Sequence, residues 1–216
     1  MLRRSVVETL TALALAIDAK DHYTQGHSTK VANYAAVMAA RLGLSETQVE
    51  EIQLGGMLHD IGKLGIPEAI LNKTGPHDPA EWDTMKQHVS FGEQLLRPLQ
   101  AISRIREMVL HHHEMYDGSG YPAGLDGDNI PMGARIISVA DAYDTITSER
   151  TYKKARTSAD AAAELRRCAG AQFDPVIVRV FLEALETRSY AVGESSASVE
   201  SSAMATDRSP VDCRQG

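Results

Sequence analysis

Apolar residues recur three or four positions apart along most of this chain, and this helical period leaves few architectures open to it. In VANYAAVMAARLG, residues 31–43, they fall mainly on one face of a helix that stops near Gly43. No two segments show the alternation that predicts paired β-strands. Because 216 residues, 43% of them hydrophobic, suffice for one ordinary core, we expect a single all-α helical bundle.

Capping patterns divide the chain into successive helices. Ser45 and Gln48 have the spacing of a capping box, and Asp78 is followed by proline and then by Glu81 at the third helical position. Thr157 and the pair Asp174-Pro175 are typical of two later helix starts. The predicted helices cover residues 31–43, 79–96, 102–113, 134–149, 158–168 and 175–188.

The two ends of the chain differ from the middle. Residues 1–20 hold apolar side chains at helical spacing, which predicts a first amphipathic helix; a secretory signal is the alternative, although its apolar run TALALAI is short. Residues 190–216 are rich in serine and poor in large aliphatic side chains, which predicts a disordered tail after a folded domain at 1–189. No run approaches the roughly 20 apolar residues of a membrane span.

Charge and cysteine content narrow the class of protein. A formal charge of -7 argues against binding to nucleic acid polymers or anionic membranes, so any phosphate chemistry must use local cations. Cys168 and Cys213 lie far from the histidines and have no zinc-like spacing, which predicts no disulfide framework. We therefore expect a cytoplasmic protein.

Seven side chains are candidate ligands for divalent transition metals, because imidazole nitrogen and carboxylate oxygen suit iron, manganese, zinc or nickel better than calcium. They are spread over five or six predicted helices or helix ends, so only tertiary packing could assemble them. The candidates are His27, His59, Asp60, His88, His112, His113 and Asp141.

The adjacent pair His59-Asp60 suggests a centre of two metals. A carboxylate has two oxygens and can bridge two ions, so Asp60 is the expected bridge. Two ions about 3.5–4 Å apart can activate water near neutral pH and hold the oxygens of a phosphoryl group. One ion would be completed by His27, His59 and Asp141, and the other by His88, His112 and His113.

Each candidate also has an ordinary structural interpretation. His27 or His88, taken alone, is typical of a surface or core histidine, and His112-His113 could be cations at the C-terminus of a helix. Asp141 in an apolar helix is harder to explain without a partner, because an unpaired buried carboxylate is costly. Asp144, one turn later, is interpreted as a structural hydrogen-bond acceptor.

Three ordered motifs closely resemble the HD-GYP family, a branch of the HD-domain metal-dependent phosphohydrolases. They are HDIGK at 59–63, HHEMYDGSGYP at 112–122 and SVADAYDTITSERTYKKA at 138–155. The segments GHSTKVANYA, GIPEAILNKTG and GAQFDP are also similar, so the resemblance covers about residues 20–185.

The resemblance implies an HD-type helical bundle, a centre of iron or manganese ions, and hydrolysis of the bacterial second messenger cyclic di-GMP. It implies the same seven ligands. It also implies catalytic roles for Asp60 and Lys63, and substrate contacts from Lys63, Gly120, Tyr121, Arg150 and Lys153. Arginine can form paired hydrogen bonds with phosphate and lysine can act as a point charge, which suits an acidic protein that binds a dianionic dinucleotide.

One position departs from the family pattern. Members with three metals have a glutamate four residues before the first ligand histidine, where this chain has Tyr23. A phenol is a poor ligand for a divalent ion at neutral pH, so we expect two metals and hydrolysis that stops at the linear product pGpG. The alternative is a purely structural role, in which Tyr23 packs against nearby helices.

Two other functions remain open from the sequence. The chain could be an HD-superfamily phosphohydrolase of another cyclic dinucleotide or of a nucleotide. It could instead be a weakly active sensor that docks onto diguanylate-cyclase domains through the GYP loop, which alone would be interpreted as a surface turn. We expect no receiver or sensor domain ahead of the first helix, and we therefore expect regulation by a partner, by homo-oligomerisation or by expression level.

Overall fold

A computed structural model describes residues 2–20, 26–148 and 155–187. Within these residues the chain forms helices and no strand, apart from one isolated bridge between Ala169 and Phe173. The expected all-α fold is therefore confirmed. The α-helices are α1 (Leu2–Lys20), α2 (His27–Arg41), α3 (Glu46–Leu58), α4 (Glu68–Leu71), α5 (Pro79–Lys86), α6 (His88–Leu96), α7 (Ser103–His111), α8 (Met132–Thr147), α9 (Ser158–Cys168) and α10 (Pro175–Glu186).

Short 3-10 helices connect several of these elements. One spans Ile61–Gly65 directly after the HD pair, a second spans Gln100–Ile102 before α7, and a third spans Gly127–Asn129 in the loop before α8. None of the three was predicted, since tight turns of this length carry no periodic pattern of apolar residues.

The predicted capping patterns form as expected. The Ser45 hydroxyl accepts from the Gln48 backbone amide, and the Gln48 side-chain oxygen accepts from the Ser45 backbone amide. Asp78 and Thr157 begin α5 and α9 with the same reciprocal pairing, and Asp174 caps α10. Each such cap stabilises a helix by about 1 kcal/mol.

The prediction of a single helix over residues 79–96 is wrong. The chain forms two helices there, α5 and α6, with a break at Gln87. The Gln87 amide donates to the Thr84 carbonyl three residues back, which tightens the turn and redirects the chain. His88 consequently begins a helix. The helix predicted for residues 102–113 ends at His111, so His112 and His113 follow it.

Two clusters of buried apolar side chains form the core. One joins α2, α8, α9 and α10 around residues such as Phe181, and the other joins α1, α6 and the first 3-10 helix around Leu58. Helices α3 and α7 contribute to both clusters: Ile52 and Met108 belong to the first, and Leu58 and Val109 to the second. Helices α3 and α7 therefore connect the two clusters.

Several expectations fall outside the described residues: the domain boundary near residue 189, the tail at 190–216, Tyr23, Arg150 and Lys153. Among the described helices, none has the length and hydropathy of a membrane span.

Candidate metal centre

The seven candidate ligands come together in one region, and six of them lie at helix ends. His27 begins α2 and His88 begins α6, whereas the His59-Asp60 and His112-His113 pairs follow α3 and α7. Asp141 alone lies within a helix, on α8. Helix ends suit this role because the chain changes direction there, which lets side chains from several helices meet.

The ligands include two separate groups of three, each with donor atoms within 4.8 Å of one another, and a third group of His59, Asp60 and His112 overlaps both. One group consists of His27, His59 and Asp141, and the other of His88, His112 and His113. This is the division that the sequence predicted. A divalent transition ion accepts such nitrogen and oxygen donors, so each group has the composition of half of a two-metal centre.

Asp60 lies between the two groups. Its Oδ2 is 3.5 Å from Nε2 of His59, and its Oδ1 is 3.5 Å from Nε2 of His88. The two carboxylate oxygens therefore face different groups, which is the arrangement that a bridging carboxylate requires. The role of all seven side chains as ligands stays a prediction.

Three of the histidines are oriented by the same local interaction. Nδ1 of His59, His88 and His112 each donates to the backbone carbonyl three residues back, at 2.8 Å in every case. A carbonyl only accepts hydrogen bonds, so the proton lies on Nδ1 and the neutral ring presents the lone pair of Nε2. These nitrogens converge, with 3.5 Å between Nε2 of His88 and Nε2 of His112.

His27 is oriented by carboxylates instead. Its Nδ1 lies 2.7 Å from Oδ2 of Asp144, and its Nε2 lies 3.2 Å from Oδ1 of Asp141. Burial lowers the pKa of His27, but the hydrogen bonds to Asp141 and Asp144 outweigh this effect and raise the pKa to about 10. In the absence of metal the ring is therefore an imidazolium between two carboxylates.

The other group of histidines is neutral. Burial lowers the pKa of His88 and, more strongly, of His112. Burial also lowers the pKa of His113 to about 3, with a further contribution from His88. Neutral imidazoles have a free lone pair at neutral pH, which metal binding requires.

The two carboxylates are ionised. Burial opposes the charge of Asp60, but Lys63 and His59 outweigh it and hold its pKa well below the usual range. Burial likewise opposes the charge of Asp141, but hydrogen bonding to His27 lowers its pKa. Carboxylates and neutral imidazoles thus occur together in one buried region.

A buried nitrogen without a partner indicates that this donor set fits a metal pair. Nε2 of His59 is buried and has no hydrogen-bond partner among the described residues, although its ring is held in place through Nδ1. A buried polar atom left unsatisfied is costly, and a cation at this position would remove that cost.

The glycine-rich loop packs against this region. The ring of Tyr121 stacks on the ring of His113 with centroids 5.0 Å apart, and the Tyr121 amide donates to the His113 carbonyl. A Cβ on Gly120 would lie 2.2 Å from the Met115 nitrogen, so this close backbone approach requires glycine. Burial raises the pKa of the Tyr121 phenol, so its hydroxyl stays protonated.

Glu114 anchors this loop, a role that the sequence did not predict. Its buried carboxylate accepts from the backbone amides of Ala123 and Leu125, at 2.8 and 3.1 Å, and Nδ1 of His111 lies 3.2 Å away. The sequence offered one indication of this role, which is that Glu114 directly follows the paired histidines His112 and His113. Its partners are nine and eleven positions away, across a loop without periodicity.

The predicted substrate contacts are only partly described. Lys63 lies beside the centre, with its Nζ 2.7 Å from Oδ2 of Asp60. Gly120 and Tyr121 border the same region through His113. Arg150 and Lys153 belong to the residues that the structure does not describe, so their role remains an expectation.

Comparison with known proteins agrees with this geometry. A family profile described as the HD domain matches residues 12–177. The chain is 42% identical over 177 residues to the cyclic di-GMP phosphodiesterase response regulator RpfG of Xanthomonas campestris, covering 81% of this chain and 47% of that protein. It is 38% identical over 184 residues to 3'3'-cGAMP-specific phosphodiesterase 2 of Vibrio cholerae, covering 84% of this chain and 35% of that protein.

A solved structure has the same fold. The cyclic GMP-AMP specific phosphodiesterase V-cGAP3 of V. cholerae superposes with a TM-score of 0.67 at 18% identity, covering 85% of this chain and 49% of that one. The chain thus spans about half or less of the length of the relatives it matches.

Proposed function

Because this chain belongs to the HD-domain family, we propose that it is a metal-dependent phosphodiesterase that hydrolyses cyclic di-GMP. The observation that carries the proposal is the pair of donor groups joined by Asp60. Two adjacent cation sites suit a phosphodiester, since its oxygens need positive charge on both sides of the bond that breaks.

The seven side chains would hold two divalent ions of iron or manganese, whose chemistry when bound is Lewis-acid activation of phosphate and water. Asp60 would contact both ions through its two oxygens. Its ionised state, maintained by Lys63 and His59 against the effect of burial, preserves both oxygens as ligands.

Two further side chains would act on the substrate. The Lys63 ammonium, paired with Asp60 at the edge of the centre, would place positive charge beside a phosphate oxygen. The Tyr121 hydroxyl remains protonated and can donate a hydrogen bond to a phosphate or ribose oxygen. Arg150 and Lys153 would complete the phosphate contacts.

Cyclic di-GMP is proposed as the substrate because the GYP segment lies against the centre through Tyr121 and His113. We propose pGpG as the product, since Tyr23 replaces the glutamate of three-metal members and leaves two ions. Diguanylate-cyclase domains or a separate regulator, acting on a cytoplasmic protein, are the proposed partners.

A second candidate substrate is 3'3'-cGAMP, for which one of the compared relatives is named. Relatives named for cGAMP and for cyclic di-GMP match this chain at 38% and 42% identity, so similarity does not separate the two nucleotides. The two substrates share a cyclic phosphodiester ring and differ in one base. The same metal centre would serve both.

The experiment is a hydrolysis assay on chain loaded with Mn²⁺ or, anaerobically, with Fe²⁺. Cyclic di-GMP, 3'3'-cGAMP and pGpG are supplied separately, and products are separated by chromatography. We expect conversion of cyclic di-GMP to pGpG, with little GMP formed. Faster turnover of 3'3'-cGAMP would make it the substrate in place of cyclic di-GMP. Nucleotide binding without turnover would favour the sensor alternative.

Matched variants test whether activity depends on the proposed bridge. Asp60→Asn should abolish hydrolysis, because an amide cannot supply two anionic oxygens. Asp128→Asn makes the same chemical change at a side chain that is 89% exposed, and should retain activity. Full activity in Asp60→Asn would contradict the proposed centre.

A further inference from the structure

The two donor groups differ in charge, and part of the difference originates outside the seven candidate ligands, at Asp144. We propose that Asp144 is a positioning residue that acts through His27 and makes the two cation sites unequal, so that the ion at His27, His59 and Asp141 binds more tightly. This inference rests on the metal centre of the proposed function.

The first argument is the position of His27 in its helix. His59, His88 and His112 each donate Nδ1–H to the carbonyl three residues back. His27 begins α2 after Gly26, whose left-handed backbone departs from the helix, and its Nδ1 bonds to α8 instead. Asp144 therefore supplies from another helix what the local backbone supplies to the other three rings.

The second argument is that Asp144 is buried and has Lys30 beside it as well as His27. It is 2% exposed, on the buried face of α8, one turn after Asp141. The Lys30 ammonium lies 3.4 Å from its Oδ1, and Lys30 also donates to the Ser148 hydroxyl. A carboxylate fixed in this way can determine both the ring orientation and the protonated nitrogen of His27.

The third argument is the stability of the backbone at His27. Asp18 on α1 accepts hydrogen bonds from the Ser28 amide at 3.1 Å and from the Ser28 hydroxyl at 2.6 Å. Gly26 provides no side-chain cap for α2, so Asp18 performs that function from a different helix. The residue after His27 is thus bound by α1, and the ring of His27 is bound by α8.

The fourth argument is the count of charges. The group of His27, His59 and Asp141 has its own carboxylate, and Asp144 lies behind its first histidine. The group of His88, His112 and His113 contains imidazoles only. Asp60 is shared between them. Greater negative charge favours a divalent ion, and a carboxylate behind a ligand histidine increases the basicity of that histidine.

The test is equilibrium dialysis of the chelator-stripped full chain against increasing free Mn²⁺, with the bound metal measured per chain. We expect the wild type to bind two ions in two resolved steps. Asp144→Asn should weaken the tighter step by about 10–100-fold, the usual cost of removing an outer-shell partner, and change the other step by less than about 3-fold. Asp128→Asn, the matched control, should match the wild type.

Double variants assign the affected step to one group. His113→Gln should remove the weaker step, and adding Asp144→Asn should then weaken the step that remains. His27→Gln should weaken the tighter step, and adding Asp144→Asn should have no further effect, because Asp144 acts through His27. Additive effects of His27→Gln and Asp144→Asn would overturn the proposal.

The outcomes separate this inference from the proposed function. A wild-type chain that binds no Mn²⁺ contradicts the metal centre itself. Two ions in the wild type with unchanged affinities in Asp144→Asn contradict only the role of Asp144. If Asp144→Asn loses the helical circular dichroism of the wild type, the smaller Asp144→Ser replaces it in the same measurements, with the same supporting and contradicting results.

Discussion

At the scale of single residues, the centre depends on which ring nitrogen carries a proton. Three histidines use a carbonyl three residues back to hold the proton on Nδ1, an interaction that any histidine at a suitable helix turn can make. His27 uses two carboxylates instead. The histidines therefore share a ligand atom but differ in charge, which the sequence did not reveal.

The carboxylates around His27 predict a pH dependence for metal-free protein. The pKa of His27 is about 10 in the folded chain, against about 6.5 when unfolded. A raised pKa contributes stability that is complete below pH 6.5 and lost as pH rises to 10, at about 1.4 kcal/mol per unit between the two values. Denaturant unfolding with chelator present, at pH 6.5 and 10, measures this loss.

The control for this prediction is His27→Gln, because other groups also titrate in that range. The wild type should lose more stability than His27→Gln between pH 6.5 and 10. Equal losses in the two proteins would show that the imidazolium does not stabilise the folded chain.

A second prediction concerns the Tyr121 hydroxyl. If this hydroxyl donates to the substrate, Tyr121→Phe removes one hydrogen bond to a charged group. The loss costs about 1.5–3 kcal/mol and should therefore lower kcat/KM roughly 10–100-fold. Bound metal per chain should stay at the wild-type value, since the ring that stacks on His113 is retained. Steady-state kinetics with metal analysis checks both; unchanged kcat/KM would exclude the contact.

At the scale of elements, the first 3-10 helix and α6 approach each other more closely than a side chain would allow. A Cβ on Gly62 would lie 1.8 Å from the His88 carbonyl oxygen and 2.4 Å from the Gly92 nitrogen. Both contacts are backbone atoms that cannot rotate away. This approach brings Asp60 and Lys63 to the start of α6, where His88 begins its helix.

Gly62→Ala should therefore destabilise the fold by at least about 3 kcal/mol, the upper end of what overpacking usually costs. Gly75→Ala is the matched control, because a Cβ there has no neighbour within 4 Å, and its free energy of unfolding should change by less than about 1 kcal/mol. Urea unfolding of both variants measures the difference. Similar stability of the two would mean that the close approach is not required.

At the scale of the whole molecule, helices that pack into both apolar clusters hold the centre. Helices α3 and α7 contribute to both clusters, and the ligand pairs His59-Asp60 and His112-His113 directly follow these two helices. Helices α2, α6 and α8 bring the remaining donors to the same place. The packing that forms the core therefore also positions the ligands.

Metal binding should consequently stabilise the entire domain. An ion present at 100 times its dissociation constant adds about 2.7 kcal/mol, which in a domain of this size raises Tm by roughly 5–10 °C. Thermal melts with Mn²⁺ and with chelator measure the shift, and Asp60→Asn should show a much smaller one. An identical Tm in Mn²⁺ and chelator would contradict a centre built into the core.

Much of this molecule could be worked out from the sequence, because helix periods and caps are local. Ser45, Asp78, Thr157 and Asp174 each begin a helix as predicted, and the seven donor types indicated metal chemistry. The break at Gln87 was missed because the apolar pattern continues across it, and backbone hydrogen bonding ends the helix there.

Only the tertiary structure decided how the donors are arranged. His27 and Asp144 lie 117 positions apart and Asp18 reaches Ser28 from another helix, so no periodicity within one element relates either pair. A helix determines the relative positions of residues within a turn or two, whereas contacts between helices follow from packing of the core. The sequence by itself determines which types of ligand residue are present. Their pairing, orientation and charge depend on how the helices pack.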